Sequence, residues 1–389
     1  MQKFSFELIK KDNKTKARAA IIHTPHGDIE TPAFSVVGTK ASVKGLDETD
    51  LKNAGSQVVL ANTYHLYLRP GVDVIKKFGD LRNFMKWDGP MITDSGGYQV
   101  SYLWTKGEEV GQSVKITDKG AKFRSHIDGS IHEITPEKSM QIQKILGADI
   151  IMAFDQPIKL ANSDRKNKEA LRRTFDWEER SFKEHKKLKS DQALYGILHG
   201  GLNKKIRKNF LDYILTAGFD GIAFGDETIG ADPNFTAKGM DTVSEFLPDD
   251  KPVHALGLGG GPEGIFVAVE RGMDTFDNTG ITRMARTGLL FTYPEDGGLS
   301  LNKFRIDINK SKFKDVKKPI SKTCNCHTCN NYSSAYIHHL LVSGEPLGVR
   351  LTTIHNVYFI NDLMREVRRS IINGHFNALK KHWLGERKY

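Results

Sequence analysis

Met91-Ile92-Thr93-Asp94-Ser95-Gly96-Gly97-Tyr98-Gln99-Val100 opens as an apolar run and closes as a site. The run reads as a short strand that holds Asp94 at its carboxyl end. Ser95, Gly96 and Gly97 present backbone N–H groups and leave room for a ligand to approach. Tyr98 offers a flat face to a planar group, and Gln99 offers a donor and an acceptor. Asp-Ser-Gly-Gly is also ordinary turn chemistry, so the stretch alone reads equally well as a strand, a tight turn and a capping Asp.

The same pattern recurs outward along the chain. Strand candidates are 57–61, 91–93, 149–154, 193–198, 221–224, 253–256 and 274–276, with helical patterns at 135–146, 166–189, 203–217, 239–246 and 264–271. Residues 1–45 read as short strands and turns. Alternating strands and helices imply a parallel sheet with crossover helices. Seven or eight such units over about 250 residues fit an α/β fold of the (β/α)8 TIM-barrel type better than an open doubly wound sheet. No dinucleotide fingerprint follows the first strands, and the glycine-rich run Gly257–Gly261 comes late and is weak evidence for a phosphate loop. The strand ends carry Asn62-Thr63-Tyr64-His65, Asp94, Asp155-Gln156, His199-Gly200-Gly201, Asp226-Glu227 and Asp277. Each alone suits a helix cap. In a barrel, however, all carboxyl ends face one side, so these residues are expected to share one cup.

The chain of 389 residues carries a net charge of +10, which favours a polyanionic partner, nucleic acid first. No apolar run approaches the roughly 18 residues of a membrane span, and the amino terminus has no signal-peptide core. The only three cysteines, Cys324, Cys326 and Cys329, cluster too tightly for a disulfide framework, and a reducing cytoplasm is the expected setting. With His355 they make a closed set of structural zinc ligands. His355 is preferred over His338 and His339 because it opens the last long helical pattern and can lock that helix to the knuckle. Just before them, residues 303–322 hold eight Lys or Arg, Lys317 and Lys318 among them, against Asp307 and Asp315, an exposed connector suited to phosphates. The organisation expected is a catalytic barrel with N-terminal strands over 1–302. A basic connector, zinc-binding subdomain and C-terminal helices follow over 303–389, ending in the basic stretch that includes Arg387 and Lys388.

Several stretches together resemble the bacterial tRNA-guanine transglycosylases, also called queuine tRNA-ribosyltransferases. They are Asn62-Thr63-Tyr64-His65-Leu66 with Leu68-Arg69-Pro70-Gly71, the Asp94–Val100 stretch, Ser125-His126-Ile127-Asp128-Gly129, Met152-Ala153-Phe154-Asp155, Arg271–Asp277, the cysteine knuckle, and Ala335–His339 running on to His355-Asn356. The resemblance covers nearly the whole chain. It implies a barrel enzyme with a zinc subdomain, commonly a homodimer. Such enzymes replace guanine at the anticodon wobble position of tRNA by a 7-deazaguanine base such as 7-aminomethyl-7-deazaguanine or queuine. Asp277 then corresponds to the nucleophile that attacks the ribose C1′, and Asp94 to the general acid/base. Asp94 and Asp155 also correspond to groups that bind the base and Tyr98 to one that stacks on it, with Ser95 and Gln99 of the same stretch joining the expected base-binding set; Arg283 and Arg286 correspond to groups that grip the anticodon.

The sequence departs from that pattern at Asn278-Thr279-Gly280-Ile281 after the nucleophile, and at Gln156-Pro157 after Asp155. It departs again at His199, where the family has a glutamine, at Asp226-Glu227 in place of Gly-Leu, and at Ala231, where a glutamate is usual. His199, Asp226 and Glu227 therefore join the expected base-binding set. Two other functions compete: a non-catalytic tRNA-binding partner subunit, against which both catalytic Asp residues argue, and a base exchanger on another nucleic acid.

Overall fold

A computed structural model describes residues 3–102, 114–159, 161–230, 232–259 and 261–387. Ala231, Gly260 and Lys388, which figure in the sequence reading, lie outside the described residues. The chain opens with an antiparallel sheet, β1 (Ser5–Lys11), β2 (Arg18–Thr24) and β3 (Gly27–Thr31). Then come β4 (Ala33–Val37), α1 (Glu48–Asn53), β5 (Val58–Ala61), α2 (Thr63–Leu68), α3 (Val72–Lys77), α4 (Leu81–Met85), β6 (Met91–Thr93) and α5 (Gly97–Tyr102). A small antiparallel sheet, β7 (Lys115–Ile116), β8 (Ala121–Arg124) and β9 (Ile131–Ile134), is inserted before α6 (Pro136–Leu146). The alternation resumes with β10 (Ile150–Met152), α7 (Asp164–Leu188), β11 (Ala193–Leu198), α8 (Lys204–Ala217), β12 (Gly221–Phe224) and α9 (Pro233–Asp241). It ends with β13 (Val253–Ala255), α10 (Pro262–Glu270), β14 (Thr275–Asp277) and α11 (Gly280–Arg286). A hairpin, β15 (Leu289–Phe291) with β16 (Arg305–Asp307), leads to α12 (His327–Asn331), α13 (Ser334–Val342), α14 (Pro346–Ile372) and α15 (Phe376–Leu384).

Strands β4, β5, β6, β10, β11, β12, β13 and β14 close into a parallel barrel in which β14 pairs back onto β4. Their sequences are apolar on both faces because helices cover the outside while side chains fill the inside; every residue of β11, Ala-Leu-Tyr-Gly-Ile-Leu, is buried. Local chemistry sets the crossovers. Asn203 accepts from the Ile206 N–H to start α8, and Gly218, with φ of +85°, ends it in the left-handed region. At the amino ends of the strands, Arg18 makes a buried two-pronged pair with Asp274 at 2.6 and 2.9 Å, and Asp274 also accepts from Val253 N.

The barrel is the one the sequence predicts, and the expected strands match within one or two residues. Two expectations shift. The first barrel strand, β4, lies inside the stretch read only as strands and turns. The helix expected at 239–246 forms instead at Pro233–Asp241, where Asp232 caps it and Pro233 takes the first turn, followed by a short 3-10 turn at Ser244–Phe246. Packing is continuous across residue 302: α14 lies against β4 and α11, closing the ring of helices around the barrel.

Candidate active site and metal centre

β6 delivers Asp94 to the mouth of the barrel, where β5 meets it. Thr63 N–H donates to one carboxylate oxygen at 2.8 Å; the Asn62 and Gln99 amides donate to the other at 2.5 and 3.1 Å. Asn62 cannot turn its amide freely, because its carbonyl oxygen accepts from His65 N and caps α2. Asp94 keeps a partial opening to solvent, yet protein crowds its carboxyl. Burial pushes its pKa up to about 7; the charges of Asp277 and Asp155 add to the rise, against the donors from Thr63 and Gln99. Asp94 is therefore divided between acid and carboxylate at neutral pH.

Next around the barrel, β10 ends at Asp155. Its oxygens accept from the Ser95 hydroxyl at 2.8 Å and from His199 Nε2 at 2.9 Å. Gly97 is required here: a Cβ on it would sit 2.1 Å from the Asp155 backbone oxygen and 2.5 Å from its carboxylate. Gly96, with φ of +85°, makes the turn. His199 is fully buried, and its Nδ1 has no partner among the described residues. The Gln99 carbonyl oxygen is likewise buried without one. Tyr98 is 55% exposed and stacks on Tyr102 with centroids 4.5 Å apart and planes 9° from parallel. Glu227 lies beside this pair and shares the Tyr102 hydroxyl, which also donates to Ile158 O at 2.9 Å. Gln156 is drawn outward, accepting from Arg173 at 2.7 Å.

Asp226 does not face the base pocket as the sequence suggested. Its buried carboxylate accepts from Gly200 N, Gly201 N, Thr228 N, the Thr228 hydroxyl and Arg207 Nη2, at 2.8 to 3.2 Å. These five donors hold a backbone with φ of +82°. Asp226 thus braces the loops after β11 and β12. Arg207, one turn into α8, carries no mark in the sequence that would have revealed this pairing.

Across the mouth, β14 ends at Asp277. Its Oδ1 accepts from Gly257 N at 2.9 Å and from His254 Nε2 at 3.2 Å, while Oδ2 has no partner among the described residues. His254 was missed by the sequence reading; a lone histidine inside the short apolar run Val253–Leu256 was its only signal. On α11, just beyond, Arg283 is exposed and Arg286 is partly buried, with one guanidinium nitrogen that has no partner among the described residues. Burial and the neighbouring Arg283 lower the pKa of Arg286. Two cations without a carboxylate partner among the described residues make an anion-binding surface. Lys317 and Lys318 are exposed on the connector, next to the start of α13.

Cys324, Cys326, Cys329 and His355 are all buried and their ligand atoms lie within 4.8 Å of one another. His355 Nδ1 is 3.6, 3.6 and 3.4 Å from the three sulfurs. A tetrahedral zinc site with ordinary bond lengths places sulfur and nitrogen about 3.6 Å apart, so the cluster fits a metal of that size. His355 Nε2 donates to Phe291 O at 2.8 Å, which leaves Nδ1 as the ligand atom. His355 sits in the third turn of α14, not at the start of the last helical pattern as expected. The next residue, Asn356, accepts from Phe291 N and donates to Leu289 O and to Ile281 O on α11. His338 stays apart, bonded to Ile308 O at 2.7 Å.

A parallel barrel whose mouth sets an acid near neutrality across from a carboxylate with one free oxygen is equipped for acid–base and nucleophilic chemistry on one bound substrate. The family model described as queuine tRNA-ribosyltransferase matches residues 12–389. Proteins named queuine tRNA-ribosyltransferase are 40% identical over 389 residues in Thermoanaerobacter sp. (strain X514), covering 100% of this chain and 99% of that one. The corresponding protein of Desulforamulus reducens is 42% identical over 365 residues (94% of each chain), and that of Aquifex aeolicus 43% over 387 (98% of each). The chain belongs to the queuine tRNA-ribosyltransferase family, pentosyltransferases that act on tRNA. No helix among the described residues is long and apolar enough to cross a membrane.

Proposed function

We propose that this chain replaces guanine at the tRNA wobble position by a 7-deazaguanine base through a covalent intermediate on Asp277. The observation that carries the proposal is the pairing of Asp94, titrating near 7, with the free Oδ2 of Asp277. Oδ2 forms a bond to the ribose C1′ as the bond from C1′ to guanine breaks, and the bonding electrons leave with guanine. Protonated Asp94 supplies the proton that neutralises the departing base. Ionised Asp94 then takes the ring proton of the incoming base, which attacks C1′ and returns the electron pair to Asp277. Each half leaves Asp94 in the state the next half needs.

Asp155, His199, Ser95, Gln99 and Glu227 line the base pocket in this proposal, with Tyr98 stacking on the base; the Gln99 oxygen and His199 Nδ1 are buried there without a partner among the described residues. Arg283 and Arg286 take the anticodon, and Lys317 and Lys318 the phosphates. The metal is proposed to be one structural zinc per chain; four protein ligands leave it no open position, and it takes no part in the reaction. A homodimer in a reducing cytoplasm completes the proposal, on the strength of the family resemblance and of three clustered thiols.

The test is incubation of tRNA with guanine, 7-aminomethyl-7-deazaguanine and queuine, followed by mass spectrometry of the tRNA. Asp277→Asn is expected to bind tRNA without forming a denaturation-resistant adduct. A normal adduct yield in that variant removes Asp277 as the nucleophile.

A further inference from the structure

We propose that His254 is a positioning residue that fixes Asp277 for attack and steadies it when it leaves, an inference that rests on Asp277 being the nucleophile. His254 lies in the middle of β13, opposite Thr275 in the parallel register with β14, and has no exposure to solvent. Burying an imidazole is costly unless its nitrogens are paired, and here both are. Nδ1 meets the Thr275 hydroxyl at 2.8 Å and Nε2 meets Asp277 Oδ1 at 3.2 Å. An ionised carboxylate only accepts, so Nε2 carries the hydrogen; in the neutral ring Nδ1 then accepts from the Thr275 hydroxyl. Thr275 thereby sets both the tautomer and the tilt of the ring.

The second donor, Gly257 N at 2.9 Å, falls on the same oxygen. Two donors on Oδ1 fix the carboxylate rotation and leave Oδ2 as the only oxygen free to bond C1′. Once the ester forms, Oδ1 is its carbonyl oxygen and carries less charge. When the incoming base attacks C1′, the ester C1′–O bond breaks and its electron pair returns to the carboxylate. Negative charge grows again on Oδ1, where two N–H groups already point at it. Donors fixed in advance on an oxygen that gains charge need no rearrangement during the step. His254 never touches the sugar or the base; it acts through Asp277.

The experiment compares H254L, H254Q and T275V in the full-length zinc-loaded protein, by steady-state guanine exchange into tRNA and by single-turnover adduct formation. Glutamine carries an N–H near the place of Nε2. H254L is expected to lower kcat about 10- to 100-fold, the scale of one hydrogen bond to a charged group, with the KM for tRNA changed less than about twofold. H254Q is expected to regain most of that loss. T275V is expected to lower kcat a few-fold alone and to add nothing in the H254L background, since the two act as one unit. Equal losses in H254L and H254Q, a loss confined to KM, or additive effects of T275V and H254L overturn the proposal. If H254L fails to fold, T275V decides, and an unchanged kcat overturns it. D277N, run alongside, keeps the two readings apart: an adduct in D277N sinks the nucleophile assignment whatever the His254 variants do.

Discussion

Replacing Asp94 by Asn is expected to stabilise the protein more at pH 8 than at pH 5, by about 2 kcal/mol. The folded carboxyl holds its proton up to about pH 7, whereas the unfolded chain releases it near the ordinary value of 3.8. Between those values the folded state binds more protons than the unfolded one, so stability falls as pH rises. At about 1.4 kcal/mol per pH unit the full penalty above pH 7 is about 4 kcal/mol, of which about 1.6 is already present at pH 5. The remainder is about 2.5 kcal/mol, trimmed toward 2 because Asp94 is partly open to solvent. Asparagine never ionises and escapes this term. It brings a separate cost, since all its neighbours there are donors: with its oxygen turned to the Asn62 and Gln99 amides, its NH2 group faces the Thr63 N–H. That cost does not change with pH. The assay is urea unfolding of both proteins at pH 5 and pH 8; protonation of the zinc ligands at the lower pH acts on both alike and cancels. Parallel stability curves for wild type and variant would falsify the account of Asp94 as a carboxyl charged at a cost in stability.

Four further outcomes follow from the geometry. Single-turnover adduct formation, which draws on the Asp94 proton, is expected to slow as pH rises through about 7, and a rate that stays flat from pH 6 to 8.5 would remove Asp94 as the acid. Cys326→Ala is expected to lower zinc to well below one per chain and to loosen α14, because binding energy in such a site is folding energy; full zinc in the Cys326→Ala, His355→Ala double variant refutes the ligand set. Lys317→Ala with Lys318→Ala is expected to weaken all tRNAs alike and to flatten the salt dependence of binding, and an unchanged slope excludes both from the interface. Glu227→Leu is expected to cut kcat/KM for 7-aminomethyl-7-deazaguanine about tenfold, the scale of one charged hydrogen bond, with less effect on guanine, which has no amine; equal losses for the two bases refute amine recognition.

Much of the barrel was legible because a parallel strand is buried on both faces and so reads as an unbroken apolar run, as in Ala193–Leu198 and Gly221–Phe224. Ala33–Val37 escaped because it follows a β-hairpin and merges with that neighbourhood. The helix after β12 was displaced because its apolar pattern is weak and its start is set by Asp232 and Pro233. Within the site, residues on one local stretch were readable: the Asp94 turn and the cysteine knuckle each gather their chemistry in under ten residues. Partnerships made across the barrel were not. The pairing of Asp226 with Arg207 joins residues 19 apart in sequence, and that of His254 with Asp277 joins residues 23 apart. Only the barrel register brings those groups together. The direction of the Asp226 side chain likewise depended on Arg207, and composition at a strand end carries no direction.

Adjacent positions on α14 tie the metal-ligand cluster and α11 to one strand. His355 belongs to the metal cluster and, through Phe291 O, to the β15–β16 hairpin; Asn356 grips Phe291 N, Leu289 O and Ile281 O on the helix that carries Arg283 and Arg286. Loss of a metal from the proposed site would therefore be felt first at α11. The carboxylates, held by the barrel strands, would keep their places, while the arginine helix would lose its anchor. On the proposed roles of Arg283 and Arg286, losing the metal is expected to raise the KM for tRNA before it lowers kcat.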